Sequence, residues 1–340
     1  MGDVTTIGLD IAKSVFQAHG ADASGSVIFR KRLSRGRLLA FFAAQPPCVV
    51  AMEACAGAHH WGRELMRLGH TVRLIPAAYV KPFVRRQKND MADSEAICEA
   101  AQRPTMRSVA VKTDEQQASA ILFRARDLFV RQRTQCINAL RGHLNEFGMV
   151  VSRGVPHVAS LIARLEDTEE AIPPGARKIL QALVTTLRAL DAQVAELDAE
   201  ITQQAKANPV ARRLMTIPGV GPITATAITA LTPTVDGFAG GRHFAAWLGL
   251  TPSERSSGNK RRLGAISKMG EHTLRRLLII GASAVVQRTG PRAPSGSWLA
   301  RMLARKPKML VVVALANKMA RIVWALLARG DVYRAPSPAV

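Results

Sequence analysis

The chain has 340 residues, of which 48% are hydrophobic and 21% charged, so it holds enough apolar material for a packed interior and excludes both global disorder and a lone small module. Its 47 Lys and Arg against 25 Asp and Glu leave a net charge of +22, an excess that points to a polyanionic partner, nucleic acid first. Apolar runs such as Leu277–Ile280 and Met309–Ala316 stop short of the roughly 20 residues that cross a bilayer, and no basic-then-apolar leader opens the chain, so a cytoplasmic, nucleoid-associated location without a membrane partner is expected.

From Thr5 to about Ile75, short β-rich runs at Thr5–Leu9, Ser14–Ala18, Val27–Arg32, Cys48–Met52 and Val72–Ile75 alternate with Gly, Asp and Pro. Helical periodicity falls at Arg37–Ala43 and His59–Leu68. Three strands, helix, strand, helix, strand predict a layered α/β domain over residues 1–112. Residues 91–147 read as long helices, and residues 113–207 as a helical, coiled-coil segment. There Leu180, Leu183, Leu187, Leu190, Val194, Leu197 and Ile201 repeat at alternating spacings of three and four, which predicts a helical hairpin, a dimeric coiled coil or one amphipathic helix on its own domain. Pro173, Pro174 and Gly175 mark the turn into it. A mainly α domain is expected over residues 208–335, and residues 251–340 alone carry 17 Lys and Arg against 3 Asp and Glu. The four cysteines, Cys48, Cys55, Cys98 and Cys136, have neither metal spacing nor a disulfide framework and read as small core residues of a reducing compartment.

Acids are scarce in the first hundred residues, which makes their positions informative. Asp10 ends the first strand and Glu53 a later apolar strand, while Asp90 and Asp93 are three apart at the start of a helix and share one face. Taken singly, a strand-end Asp is a common turn former, Glu53 a candidate for an ion pair and Asp90 a candidate helix cap. Side by side on adjacent strands, as in ribonuclease-H-like folds, Asp10 and Glu53 would meet and the Asp90 and Asp93 pair could close the cluster. Four converging carboxylates need hard cations; Mg²⁺, or Mn²⁺ in its place, takes such ligands, and a pair of ions would clamp the two oxygens of a phosphodiester exchange.

Later in the chain, Ile217-Pro218-Gly219-Val220-Gly221-Pro222 sits between helical stretches, and Gly219 and Gly221 permit a tight turn whose backbone N–H groups can face a phosphate, as in a helix-hairpin-helix. The segment Leu250–Gly264 is polar and basic and reads as a flexible loop. It offers the hydroxyls of Ser257 and Ser256 with Arg255, Lys260, Arg261 and Arg262 to neutralise a phosphate, but no local general base. Arg85, Arg86, Lys88, Lys268, Arg275 and Arg276 are the further candidates for nucleic-acid contact. With 16 aromatic residues in the whole chain, stacking on bases is not the expected mode; gripping the backbone is.

Five motifs in order, Gly8–Lys13, Met52–Gly57, Lys88–Asp93, Ile217–Pro222, and Leu248–Pro252 followed by Ser256–Gly258 and Leu263–Lys268, resemble those of the DEDD transposases of bacterial insertion sequences, relatives of the Piv-type invertases and of bridge-RNA-guided recombinases. The likeness spans nearly the whole chain. It implies a RuvC-like first domain, metal-binding acids at Asp10, Glu53, Asp90 and Asp93, and a nucleophilic serine best matched by Ser257, with Ser256 next. It further implies donor and target DNA as substrates, a structured guide RNA, and a homodimer or homotetramer in which the acids of one protomer serve the serine of another. Asn259 departs from the family's Gly, which puts the serine loop's conformation in question, and Ser94 departs from its Ala, which is expected to matter little. A junction-resolving nuclease and a non-catalytic nucleic-acid scaffold are the competing readings.

Overall fold

The computed structural model describes residues 3–84, 89–152, 154–167, 172–258, 260, 262–294 and 296–335. Two compact units divide the chain, residues 1–117 and 118–340.

In the first unit, β1 (Thr6–Asp10), β2 (Val15–Ala21) and β3 (Val27–Ser34) form an antiparallel meander, followed by α1 (Leu38–Ala43), β4 (Val49–Glu53), α2 (Ala58–Arg67) and β5 (Thr71–Ile75). The sheet order is β3-β2-β1-β4-β5, with β1 parallel to β4 and β4 parallel to β5. A short α3 (Ala77–Val80) and α4 (Asp90–Ala101) complete the unit. The fold is mixed α/β around a mixed sheet. The strands read from the sequence begin and end within three residues of these; β2 runs on to Ala21, where the alternation gives way to four consecutive buried residues from Ala18 to Ala21.

Period-two alternation divides the sheet into two faces. Ile7 and Leu9 of β1 and Val50 and Met52 of β4 pack with Leu38, Phe42, Trp61 and Leu65 from α1 and α2. Ala51 and Ile75 lie in the opposite layer with Val80, Ala96, Ile97 and Ala100 from α3 and α4. Gly8 also faces α4, and there the backbones nearly touch: a Cβ at Gly8 would lie 2.2 Å from the Ser94 carbonyl oxygen. By the same alternation, Asp10 and Glu53 belong to the α4 face.

The second unit takes most of α5 (Asp114–Asn145), then α6 (Val158–Glu166), α7 (Pro174–Ala207), α8 (Pro209–Leu214), α9 (Pro222–Leu231), α10 (Gly241–Trp247), β6 (Pro252–Glu254), β7 (Leu263–Ile266), α11 (His272–Thr289), α12 (Trp298–Arg305) and α13 (Lys308–Arg329). Arg126 pairs with Asp198 and Arg133 with Asp191, so α5 and α7 run antiparallel. Leu180, Leu187, Val194 and Ile201 of the α7 seam are buried, whereas Leu183, Leu190 and Leu197 are half-buried. Ile137, Leu140 and Leu144 of α5 meet Leu180, Val184 and Leu187 of α7 in one core, and a larger one joins α8 to α11 with α13. Helix α13 is long and apolar enough to cross a membrane, but Val312, Ala316, Met319, Ala320 and Val323 form a stripe buried in that larger core.

The segment expected to be a flexible loop is instead a two-stranded hairpin of β6 and β7. Its strands are tied mainly by polar bonds: Ser253 Oγ donates to the Ala265 carbonyl at 3.1 Å, and the Arg255 amide to the Arg262 carbonyl at 2.8 Å, while Ile266 at the end of β7 packs on the larger core. Cys55 also departs from expectation. It is exposed, whereas Cys48 and Cys98 are buried and Cys136 is half-buried.

Candidate active site

Asp10 follows Leu9, whose pairing partner on β4 is Met52, so Asp10 and Glu53 are the next residues on neighbouring parallel strands. Glu53 in turn lies opposite Ile75 of β5. Helix α4 begins over this strand end. The Asn89 side chain caps it by accepting from the Ala92 amide at 2.7 Å, so Asn89 rather than Asp90 is the cap, and both aspartates stand in the first turn, where the helix terminus favours negative charge.

One carboxylate oxygen from each of Asp10, Asp90 and Asp93 lies within 4.8 Å of the other two. Glu53 is not part of that group of three, yet it is close enough to act on Asp10 electrostatically. Asp10 is half-buried, and its pKa is raised from 3.8 to about 6, first by burial and then by repulsion from Asp93, Asp90 and Glu53, so that it gives up its proton less readily than an ordinary aspartate. A donor set of hard oxygens under mutual repulsion fits a divalent cation of the Mg²⁺ or Mn²⁺ kind, which would relieve the repulsion that burial aggravates. The thiol of Cys55, two residues past Glu53, has its pKa pushed up by desolvation and by two of these carboxylates, Glu53 and Asp10, and is a weaker acid than a free thiol.

The second set of candidate residues lies on the β6–β7 hairpin. Ser257 and Lys260 form an antiparallel bridge across its turn, with Gly258 in the left-handed region at φ 55. Ser256 Oγ donates to Glu254 at 2.8 Å and accepts from the Arg262 amide at 3.1 Å. Ser257 is exposed, as are Arg255, Lys260 and Arg262. Lys268 is exposed as well and is the one non-glycine residue with positive φ among those described, at 57°. Arg85, Arg86, Lys88 and Arg261, like Asn259, lie outside the described residues.

Other expected phosphate contacts already have protein partners. Arg275 donates to the carbonyls of Leu248 at 3.0 Å and Met269 at 2.8 Å, and Arg276 pairs with Asp127. Gly219 is left-handed, at φ 87, and packs on α11: a Cβ there would lie 2.7 Å from the Gly281 carbonyl oxygen. Gly221 is exposed at the start of α9. Sequence reasoning missed the Gly8 approach, the Asn89 cap and the Glu254 to Ser256 bond. Asn three residues ahead of Ala92 was a readable capping signal, and Glu254 two residues before Ser256 would have been one had the strand been recognised.

A family model described as a transposase of the DEDD, IS110 type matches residues 7–149, and one described as the transposase IS116/IS110/IS902 family matches residues 211–296. A Pseudomonas aeruginosa protein named "Probable family 20 transposase" is 47% identical over 335 residues, covering 98% of this chain and 99% of its own. The transposase for insertion sequence element IS1328 of Yersinia enterocolitica is 40% identical over 98% of this chain and 99% of its own. That for IS1111A of Coxiella burnetii is 40% identical over 98% and 92%.

Proposed function

The chain belongs to the IS110 family of DEDD transposases and so acts in DNA transposition, cutting and rejoining DNA; from that premise we propose that it does so with a divalent cation on its acid cluster and a serine as nucleophile. The observation that carries the reading is the convergence of Asp10, Asp90 and Asp93 at the strand end beside Glu53, in a chain of net charge +22. The unit bearing the acids is then a RuvC-like nuclease domain, a reading its strand order supports.

Asp10, Glu53, Asp90 and Asp93 would hold Mg²⁺ or Mn²⁺, which when bound supplies positive charge to the scissile phosphate. Ser257 attacks phosphorus through its hydroxyl oxygen: the Ser257 O–P bond forms, the strand's own P–O bond breaks, and the departing oxygen takes up a proton. Arg255, Lys260 and Arg262 neutralise the charge that builds on the phosphate oxygens. Rejoining reverses the exchange with a different strand end, so the energy of the broken bond is kept in the phosphoserine link. The substrates are donor and target DNA, bound within a homodimer or homotetramer, and the family likeness extends the reading to a structured guide RNA. Domains at 1–112, 113–207 and 208–335 then carry the acids, the helical hairpin and the serine.

A protein–DNA adduct that survives denaturation tests this reading. Wild-type protein with Mg²⁺ should form it; Ser257→Ala should abolish it, and Asp93→Asn should slow cleavage on the order of a thousandfold. Wild-type cleavage by the Ser256→Ala, Ser257→Ala double variant would identify water as the nucleophile and reduce the reading to a hydrolytic nuclease.

A further inference from the structure

We propose that Ser256 is a positioning residue, not the attacking group: with Glu254 and the Arg262 amide it forms a buckle that sets the hairpin's twist and presents Ser257 on the opposite face. This inference rests on the serine-nucleophile reading above and deepens it. Neighbouring residues of a strand project to opposite faces, and residues two apart share one. The backbone bonds of Arg255 to Arg262 and of Ser257 to Lys260 continue the pairing of Glu254 with Leu263 past the end of β6, so Glu254 and Ser256 stand together on one face, and Ser257 falls to the other with Arg255.

The Ser256 hydroxyl is used in both senses. Its proton goes to the Glu254 carboxylate at 2.8 Å, and its oxygen accepts from the Arg262 amide on the opposite strand at 3.1 Å. Attack on phosphorus through that oxygen would have to use its one remaining lone pair, and drawing the oxygen toward phosphorus would loosen the Arg262 bond, a cross-strand tie. Ser257 has its backbone fixed, its amide donating to the Lys260 carbonyl at 3.3 Å and its carbonyl accepting from the Lys260 amide at 3.2 Å, while its hydroxyl makes no hydrogen bond among the described residues. Beside it, a Cβ at Gly258 would meet nothing within 4 Å, which leaves room for a phosphate. A bond to a charged acceptor is about twice as strong as a neutral one, so the buckle is a firm local tie near the exposed turn of the hairpin.

The full chain, trapped with a cleavable DNA duplex and Mg²⁺ and then digested for peptide mapping, tests the assignment. The adduct should map to Ser257. Ser256→Ala should still form it there, about 10- to 100-fold more slowly and with DNA affinity unchanged, because orientation and not contact is lost. Ser256→Thr, which keeps the hydroxyl, should restore most of the rate. Glu254→Ala, which removes one of the two bonds that Ser256→Ala removes, should slow the adduct by no more than Ser256→Ala does, and the double variant should be no slower than Ser256→Ala alone, since the Glu254 bond is already lost there. Glu254→Gln keeps an acceptor and should keep the wild-type pH–rate profile. An adduct mapped to Ser256, a Ser256→Ala rate equal to wild type, or a Glu254→Gln profile that flattens would overturn the proposal, the last by making Glu254 the base for Ser256. Absence of any adduct from unaltered protein would instead sink the serine nucleophile itself, and the buckle's role with it.

Discussion

Asp10 meets Asp90 and Asp93 across most of the length of the first unit, through a helix packed directly on a strand, whereas Glu254, Ser256 and Arg262 meet within a few residues on an exposed hairpin. The first arrangement is a by-product of the core. Alternation on β1 and β4 turns Asp10 and Glu53 to the α4 side, and Gly8 lets α4 come down close enough for its first turn to reach them. The second arrangement owes nothing to apolar burial: backbone and side-chain bonds hold it, and its serines face solvent. A site of the first kind fails when the backbone moves; one of the second kind fails when a local bond is lost, with the fold intact.

The sharpest way to break this contrast is Gly8→Ala. The added methyl would lie 2.2 Å from the Ser94 carbonyl oxygen and 2.5 Å from the Cys98 amide nitrogen, both backbone atoms that cannot swing aside. Helix α4 must lift, at a cost of about 1–3 kcal/mol or more, and carry Asp90 and Asp93 away from Asp10. Thermal denaturation should show the loss, and Mg²⁺ should no longer raise the melting temperature. An unchanged melting point would mean that β1 and α4 do not set the cluster's geometry.

A smaller effect follows from charge. Between pH 3.8, where Asp10 ordinarily titrates, and about 6, where it titrates in the folded protein, the folded state holds more protons than the unfolded one. Stability of the metal-free protein should therefore fall as pH rises through that window and level off above it. Melting curves in chelator from pH 4 to 7 should show the slope, and the difference between wild type and Asp10→Asn isolates it from other acids. Divalent cation at pH 7 should recover the loss, by about 2.7 kcal/mol at a hundred times its dissociation constant. A slope of opposite sign, or none, would mean the acids do not crowd one another.

These contrasts also explain what the sequence could and could not disclose. Strands β1, β2, β4 and β5 were legible because each carries short apolar stretches with buried residues, and β3, of which Leu33 is buried, by its Val27-Ile28-Phe29 opening, while Asp10 and Glu53 stood out as acids at the ends of apolar runs. Cys55 was misjudged because a small thiol beside Met52 looks like the core it adjoins, although the strand has already ended at Glu53. The hairpin was illegible because no residue between Pro252 and Leu263 is apolar enough to mark a face, and strand propensity measures fit to a half-buried surface. Arg275 and Arg276 looked like phosphate ligands by charge alone; their carbonyl and Asp127 partners come from the fold of the second unit.

The least disruptive test acts on the hairpin alone. Gly258 holds φ at 55°, where a Cβ crowds the backbone and costs roughly 1 kcal/mol, yet nothing within 4 Å would clash with the new methyl. Gly258→Ala should therefore leave the global melting temperature within a degree or so of wild type, because Gly258 is at the exposed turn, away from Ile266, the β7 residue that packs on the core. Its effect should appear in the ratio of closed to open hairpin, which a penalty of about 1 kcal/mol lowers roughly fivefold, and hence in a rate of adduct formation at Ser257 reduced by at most that factor. Equal falls in melting temperature for Gly258→Ala and Gly8→Ala would show that the hairpin melts with a core after all. A slowed adduct with an unmoved melting curve would keep the two designs apart: the acids held by packing, the hydroxyl by a handful of exposed polar bonds.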